Sequence, residues 1–206
     1  MKIRCSLLGK IMTMPRTKKD TLSTTAKSYI KDIAKQDFYN YHTDFSNKYT
    51  TKGIVVEDTS IDLYNAVHFT NYEKNTKRLN NEYLTGECDI NAPDRIIDIK
   101  SSWSLETFPA LQEDAINKDY EWQIRGYMML YNKPFGEIAY CMVSTPDELL
   151  NDWDNNDIHN VDHIEPSHRI TVVHFTRELD KEILIEQQCK YAIEYYKECI
   201  NQLNNK

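Results

Sequence analysis

Long apolar runs are missing from these 206 residues, so no segment is fit to cross a bilayer as a helix. The opening stretch "MKIRCSLLGKIMTMPRTKKD" has basic residues but neither the apolar core nor the cleavage site of a secretory leader, and a cytoplasmic setting is expected. Cysteine is sparse: Cys5, Cys88, Cys141, Cys189 and Cys199 are scattered, odd in number and without a CxxC pair. That usage fits reduced thiols and argues against a disulfide framework or a zinc knuckle. The five glycines build no Gly/Ser linker, and no repeat or low-complexity block interrupts the chain. His42, His68, His159, His163, His168 and His174 show no metal-ligand spacing. What is present is the composition of a folded globule, 40% apolar and 11% aromatic, at a length suited to one domain with a sizeable core.

A formal net charge of −7 speaks against a polyanionic partner, but its distribution does not. Residues 1–52 carry 11 Lys and Arg against 4 Asp, a net of +7, while the remainder carries −14. Such polarity fits one positive surface aimed at a polyanion, and equally a solvated basic face with no partner.

Helical spacing of Ala26, Tyr29, Ile30 and Ile33 predicts a helix over 21–36, capped by Ser23 or Thr21. Ile54, Glu57, Ile61 and Tyr64 predict a second over about 50–67. Residues 82–90 and 95–100 read as strands joined by the turn "NAPD". A helix over 118–132, closed by Asn132 and Pro134, precedes a strand at 136–145 that is buried on both faces. The Asp- and Asn-rich stretch 151–167 reads as a loop, and 168–176 as a strand. One long helix from about Arg177 presents Leu179, Ile183, Ile185, Tyr191, Ile193 and Tyr196 for packing. The order predicts an α/β fold, a small mixed β-sheet flanked by helices and finished by a long C-terminal helix.

Charged residues interrupt the strands. Asp98 and Lys100, two apart in "IIDIK", project to one face, while Ile97 and Ile99 pack on the other. Asp89, at the end of the preceding run, comes within reach across the turn. Unpaired carboxylates on a half-buried sheet face cost several kcal/mol or protonate, so a cation is expected between them. Oxygen ligands without His or Cys select Mg²⁺ or Mn²⁺. Such an ion lowers the pKa of water, and a neighbouring ammonium stabilises charge developing on phosphate. A surface salt bridge on an edge strand is the plain alternative.

An acid closing one strand, followed by acid-x-lysine on the next, resembles the PD-(D/E)xK nuclease superfamily, here at Asp89, Asp98 and Lys100. "KGIVVED" supplies Glu57 where superfamily exonucleases often carry a helical glutamate, with Asp58 as the rival. "WQIRGYMMLY" supplies Gln123 and Tyr127 for the Q-x-x-x-Y motif of the RecB-like and lambda-exonuclease-like branches. The terminal elements are similar to the YqaJ-type viral recombinases. In order, the match covers about residues 50–145. Glu87 is a competing ligand if the register slips.

The resemblance implies a restriction-endonuclease-like core and a single nuclease domain over 1–206. Its parts would be a basic N-terminal helical part (1–49), a catalytic core (50–145) and a C-terminal strand and helix (146–206). It also implies Mg²⁺ or Mn²⁺ held by Asp89, Asp98 and Glu57, water positioned by Lys100 and oriented by Gln123, and a nucleic-acid contact for Tyr127. Core packing would explain Tyr127 equally well. Arg4 and Ser6 in "IRCSLLGK" would take the 5′ phosphate of a DNA end, and Lys10, Arg16, Lys18 and Lys19 would extend the basic surface; solvated loop residues are the alternative. Trp103 would stack on a base or fill core. Cys189 and Cys199 are too isolated for the cluster-binding cysteines of some RecB-like nucleases, so no Fe–S cluster is expected. The implied activity is a metal-dependent exonuclease on linear duplex DNA ends, working in phage-type recombination in a bacterial host's cytoplasm. A homo-oligomer and a single-strand annealing protein are the further partners it suggests, and no membrane. An endonuclease of the same fold, or a non-catalytic nucleic-acid-binding module, are the competing functions.

Overall fold

The alternation in "RIIDIKS" becomes β5 (Arg95–Ser101), the strand on which the molecule is organised. The computed structural model describes residues 1–43 and 47–205. β5 lies between β4 (Ile90–Asn91), paired antiparallel, and β6 (Phe135–Cys141), paired parallel. β7 (Ile170–Thr176) completes the sheet antiparallel to β6, giving the order β4-β5-β6-β7. The parallel step from β5 to β6 needs a crossover, which α5 (Lys118–Tyr131) supplies. Asn117 caps α5 by accepting from the backbone N–H groups of Asp119 and Tyr120, and Asn132 ends it in the left-handed region at φ 54°.

Period two separates two cores. Ile96 and Ile138 face α5 and pack with its Ile124, Tyr127 and Met128. Ile97, Ile99, Ala139 and Cys141 face the other way, against Ile61, Leu63 and Tyr64 of α4 (Glu57–His68). α5 lies so close to the sheet that a Cβ on Gly136 would come within 2.6 Å of Met128 Sδ and 2.7 Å of Ile124 Cγ1. Any side chain there would lift the helix away.

A second, three-stranded sheet orders β1 (Ile3–Arg4), β3 (Leu84–Gly86) and β2 (Leu79–Asn80). The strand expected over 82–90 is therefore divided. Its first half pairs in this sheet, its last residue joins β4, and Asp89 hangs between the two. β1 and β2 are two residues each, too short for alternation to reveal.

The helix expected over about 50–67 is likewise two helices, α3 (Lys48–Val55) and α4, broken at Val56 (φ −102°, ψ 12°). The adjacent β-branched Val55 and Val56 weaken the helix there. The break turns Val56 into the core and leaves Ile54, expected on the packing face, 74% exposed.

At the end of the chain α6 (Leu179–Asn204) packs along α2 (Thr24–Tyr39). Ser23 caps α2, its hydroxyl accepting from Ala26 N–H at 3.0 Å. Of the expected packing face of α6, Ile185 is buried but Leu179 is 71% exposed and Ile183 is also exposed. The stripe that packs is Glu182, Ile185, Gln188, Cys189, Ala192 and Cys199. Small residues there admit the Ala26, Ile30 and Ala34 face of α2, and Arg177 forks Glu182, its Nη2 donating at 3.0 Å. Helix α1 (Leu8–Ile11) packs against α5.

Candidate active site

On β5 the side chains of Asp98 and Lys100 share the α5 face, as the period requires. Continuing the β4–β5 register one step beyond the Ile90–Ile97 pair sets Asp89 opposite Asp98. Ile99 N–H donates to Asp89 Oδ2 at 2.6 Å, which locks that carboxylate against β5. Lys100 Nζ stands 2.5 Å from Asp98 Oδ2. Its ammonium donates to Gln123 Oε1 at 3.3 Å and lies 4.6 Å from the centroid of the Tyr120 ring. Gln123 Nε2 in turn donates to Asp98 Oδ1 at 3.0 Å and to Tyr127 Oη at 3.3 Å. One amide thus holds the acid with its nitrogen and the lysine with its oxygen.

Electrostatically the pair of acids is unresolved. Burial, and then the charge of Asp98, push Asp89 up to about 8, against a smaller pull from Lys100. For Lys100 burial works downward, but the charge and hydrogen bonding of Asp98, with Asp89, outweigh it and raise its pKa. Among the described residues, Asp98 Oδ2 is one of three buried side-chain polar atoms without a hydrogen bond of ordinary geometry. Its close neighbour is the lysine alone, in an ion pair. No three His, Cys, Asp or Glu side chains are gathered as a ready ligand set among the described residues. Mg²⁺ asks less than that, one or two carboxylates with waters and substrate phosphate. Two facing carboxylates, with one Asp98 oxygen held by an ion pair alone, fit that demand.

A consequence for stability follows. The folded pKa of Asp89 lies above its unfolded 3.8, so the folded state binds the extra proton between the two values. In EDTA, the contribution of this group is therefore greatest below about pH 4 and is lost as pH rises through 8. Thermal melts in EDTA should show Tm falling over that window, and Asp98→Asn should flatten the fall by removing the like charge. Mg²⁺ at about 100 times its Kd, added at pH 8.5, should restore about 5–10 °C.

Glu57 opens α4 and is within electrostatic reach of Asp89, whose pKa it helps to raise. Its Oε2 accepts from Lys74 Nζ at 2.9 Å. The rival Asp58 points to solvent, 3.9 Å from the same lysine. Glu87, the other rival, is turned from the pair and meets Arg78 at 3.4 Å.

Tyr127, for which a nucleic-acid contact and core packing were both expected, lies in the core. It is 4% exposed, with its ring against Gly86, where a Cβ would come within 2.6 Å of Tyr127 Cε1. Burial there leaves its hydroxyl to receive Gln123 and its ring no surface to offer DNA. Trp103 is also core, edge-on to Tyr49 and His159 at 5.4 and 5.1 Å. Arg4, Ser6, Lys10 and Arg16 are all exposed, Arg4 in β1 and Lys10 in α1.

Three residues of this region escaped sequence reasoning. Lys52 is fully buried, donating to the carbonyls of Ser102 (2.7 Å), Trp103 (3.0 Å) and Val143 (2.9 Å), and burial pushes its pKa down to about 8. Glu137, 2% exposed on the α4 face of β6, accepts from Tyr64 Oη at 2.6 Å and pairs with Arg95 and with His174 Nδ1 at 3.2 Å. Lys74 is the third. An acid within the apolar run "GEIAYC" was a readable signal for Glu137; nothing in the pattern marked the two lysines.

The whole arrangement has close counterparts. A phage-related exonuclease from Haemophilus somnus 129PT superposes with a TM-score of 0.93 at 33% identity, covering 98% of this chain and 96% of that one. The alkaline exonuclease from Laribacter hongkongensis superposes with a TM-score of 0.73 at 12% identity, covering 99% and 92% of the two chains. The same enzyme in complex with dAMP gives 0.71 at 13% identity, again over 99% and 92%. No family model and no curated protein matches the chain. The likeness to the Haemophilus somnus protein makes the chain a nuclease. The chain belongs to the phage-related exonucleases, which is consistent with its resemblance to the PD-(D/E)xK superfamily.

Proposed function

We propose that the protein hydrolyses phosphodiester bonds of linear double-stranded DNA from its ends, using Mg²⁺ or Mn²⁺ held by Asp89 and Asp98 with Glu57 joining them. The observation that carries this reading is the facing pair of buried acids, one of them ion-paired with an ammonium that Gln123 also holds. A divalent ion held there would lower the pKa of water and polarise the phosphate. Lys100, held between Asp98, Gln123 and the Tyr120 ring, can orient the attacking water and stabilise charge that develops on a phosphate oxygen. Gln123 keeps acid and lysine in register through the reaction. The exposed Arg4, Ser6, Lys10 and Arg16 are suited to phosphate contacts, which carry no base specificity. A resected end would suit a single-strand annealing protein in phage-type recombination.

The test compares linear duplex, with and without a 5′ phosphate, with covalently closed circles, in Mg²⁺ and in EDTA. Digestion of linear DNA in Mg²⁺ only, with circles intact, is expected. Cleaved circles would make the protein an endonuclease, and an inert protein would make it a binding module.

A further inference from the structure

Residues 70–78 join α4 to β2 without regular structure, yet they are tied down at both ends. Asn65 accepts from Tyr72 N–H and donates to its carbonyl, each at 2.9 Å. Asn75 N–H donates to the Asp89 carbonyl at 2.7 Å, and its amide donates to the Cys88 carbonyl at 2.9 Å. Lys74, bracketed by these anchors, is thereby held beside the acids by the backbone that carries Asp89. Its ammonium meets Glu57 Oε2 at 2.9 Å and lies 3.9 Å from Asp58. When all are ionised, the carboxylates of Glu57, Asp58, Asp89 and Asp98 face the ammoniums of Lys74 and Lys100. The excess is two negative charges, the charge of one divalent ion.

Glu57 has its charge matched already, and it stands apart from a three-carboxylate set. We propose that Lys74 is a further positioning residue of the active site: it competes with the divalent ion for Glu57, and so sets the concentration of ion at which Glu57 joins Asp89 and Asp98. This rests on the metal chemistry proposed above, but it concerns a residue that lies outside every motif of the chain.

Mn²⁺ binding to the full chain, measured by titration calorimetry without DNA, tests it. Lys74→Met should bind Mn²⁺ about fivefold more tightly, the worth of a half-exposed ion pair. Lys74→Arg, which keeps the charge, should stay close to wild type. Misfolding cannot produce a gain in affinity. In a Glu57→Gln background the gain from Lys74→Met should vanish, because the contested ligand is gone. Unchanged or weaker binding by Lys74→Met overturns the proposal. So does a gain that persists with Glu57→Gln, since that would be a general field effect of one charge fewer. Wild-type protein that takes up no Mn²⁺ would instead strike the metal chemistry itself, and this assignment with it.

Discussion

Lys100→Ala should slow digestion of linear duplex by about a hundredfold to a thousandfold, the loss seen when one donor to a developing oxyanion is removed. The fall should lie mainly in kcat, because the ammonium is already paired in the resting site and its contribution grows as charge builds on phosphate. Asp98→Asn should be at least as damaging, since it removes the partner of Lys100 and of Gln123 together. Gel-based digestion rates, beside circular dichroism of each variant, check both. Glu87→Gln is the informative control. Its carboxylate faces Arg78, so the rate should be nearly unchanged, whereas Asp89→Asn should inactivate. Equal losses from Glu87 and Asp89 would show that the wrong acid had been assigned.

Lys52→Met should cost about 3–5 kcal/mol of stability, read as a lower midpoint in urea at an unchanged slope. Shape is nearly conserved, so lost packing is a small part of this. The cost comes from the carbonyls. Three of them converge on one ammonium, and those of Ser102 and Val143 lie just beyond the ends of adjacent strands, where a missing donor leaves buried oxygen unpaired. Because the clamp joins α3 to the ends of β5 and β6, its loss should also loosen the approach to Glu57, which follows α3 by one residue.

How far such features can be read from sequence depends on the range of the interaction behind them. Asp98 and Lys100 were legible because period two is a local rule: an acid and a lysine two apart between isoleucines share a face whatever lies elsewhere. Gln123 was legible through the Q-x-x-x-Y motif of the resemblance, one turn from Tyr127 on a single helix. Lys52 was not. On a helical pattern it looks like any solvated lysine, and its burial depends on strand ends about 50 and 91 residues away. The packing face of α6 was legible only in part: Ile185, Tyr191 and Tyr196 pack on the core, while Leu179 and Ile183 do not. A hydrophobicity pattern favours large apolar residues, yet a close helix pair buried small Ala192 and Cys189 and a forked Glu182, leaving Leu179 outside. The break at Val56 and the division of the 82–90 strand are set by which neighbour each half found, and no local pattern carries that choice. Tyr127 shows the limit of a motif, which marks the position without saying whether ring or hydroxyl is what the site uses.

Asp89 belongs to neither sheet, and this makes the tripeptide from Glu87 to Asp89 a ruler. One end is set by the pairing of Gly86 with Leu79, the other by the pairing of Ile90 with Ile97. Both ladders would survive a single inserted residue, since neither counts the chain between them. A residue inserted between Asp89 and Ile90 would nonetheless shift the carboxylate by about one strand rise of 3.3 Å, away from Ile99 N–H and from its place opposite Asp98. Length drift at that step would yield well-folded proteins whose two acids no longer face each other, while Glu87 and Cys88 could absorb an extra residue without moving Asp89.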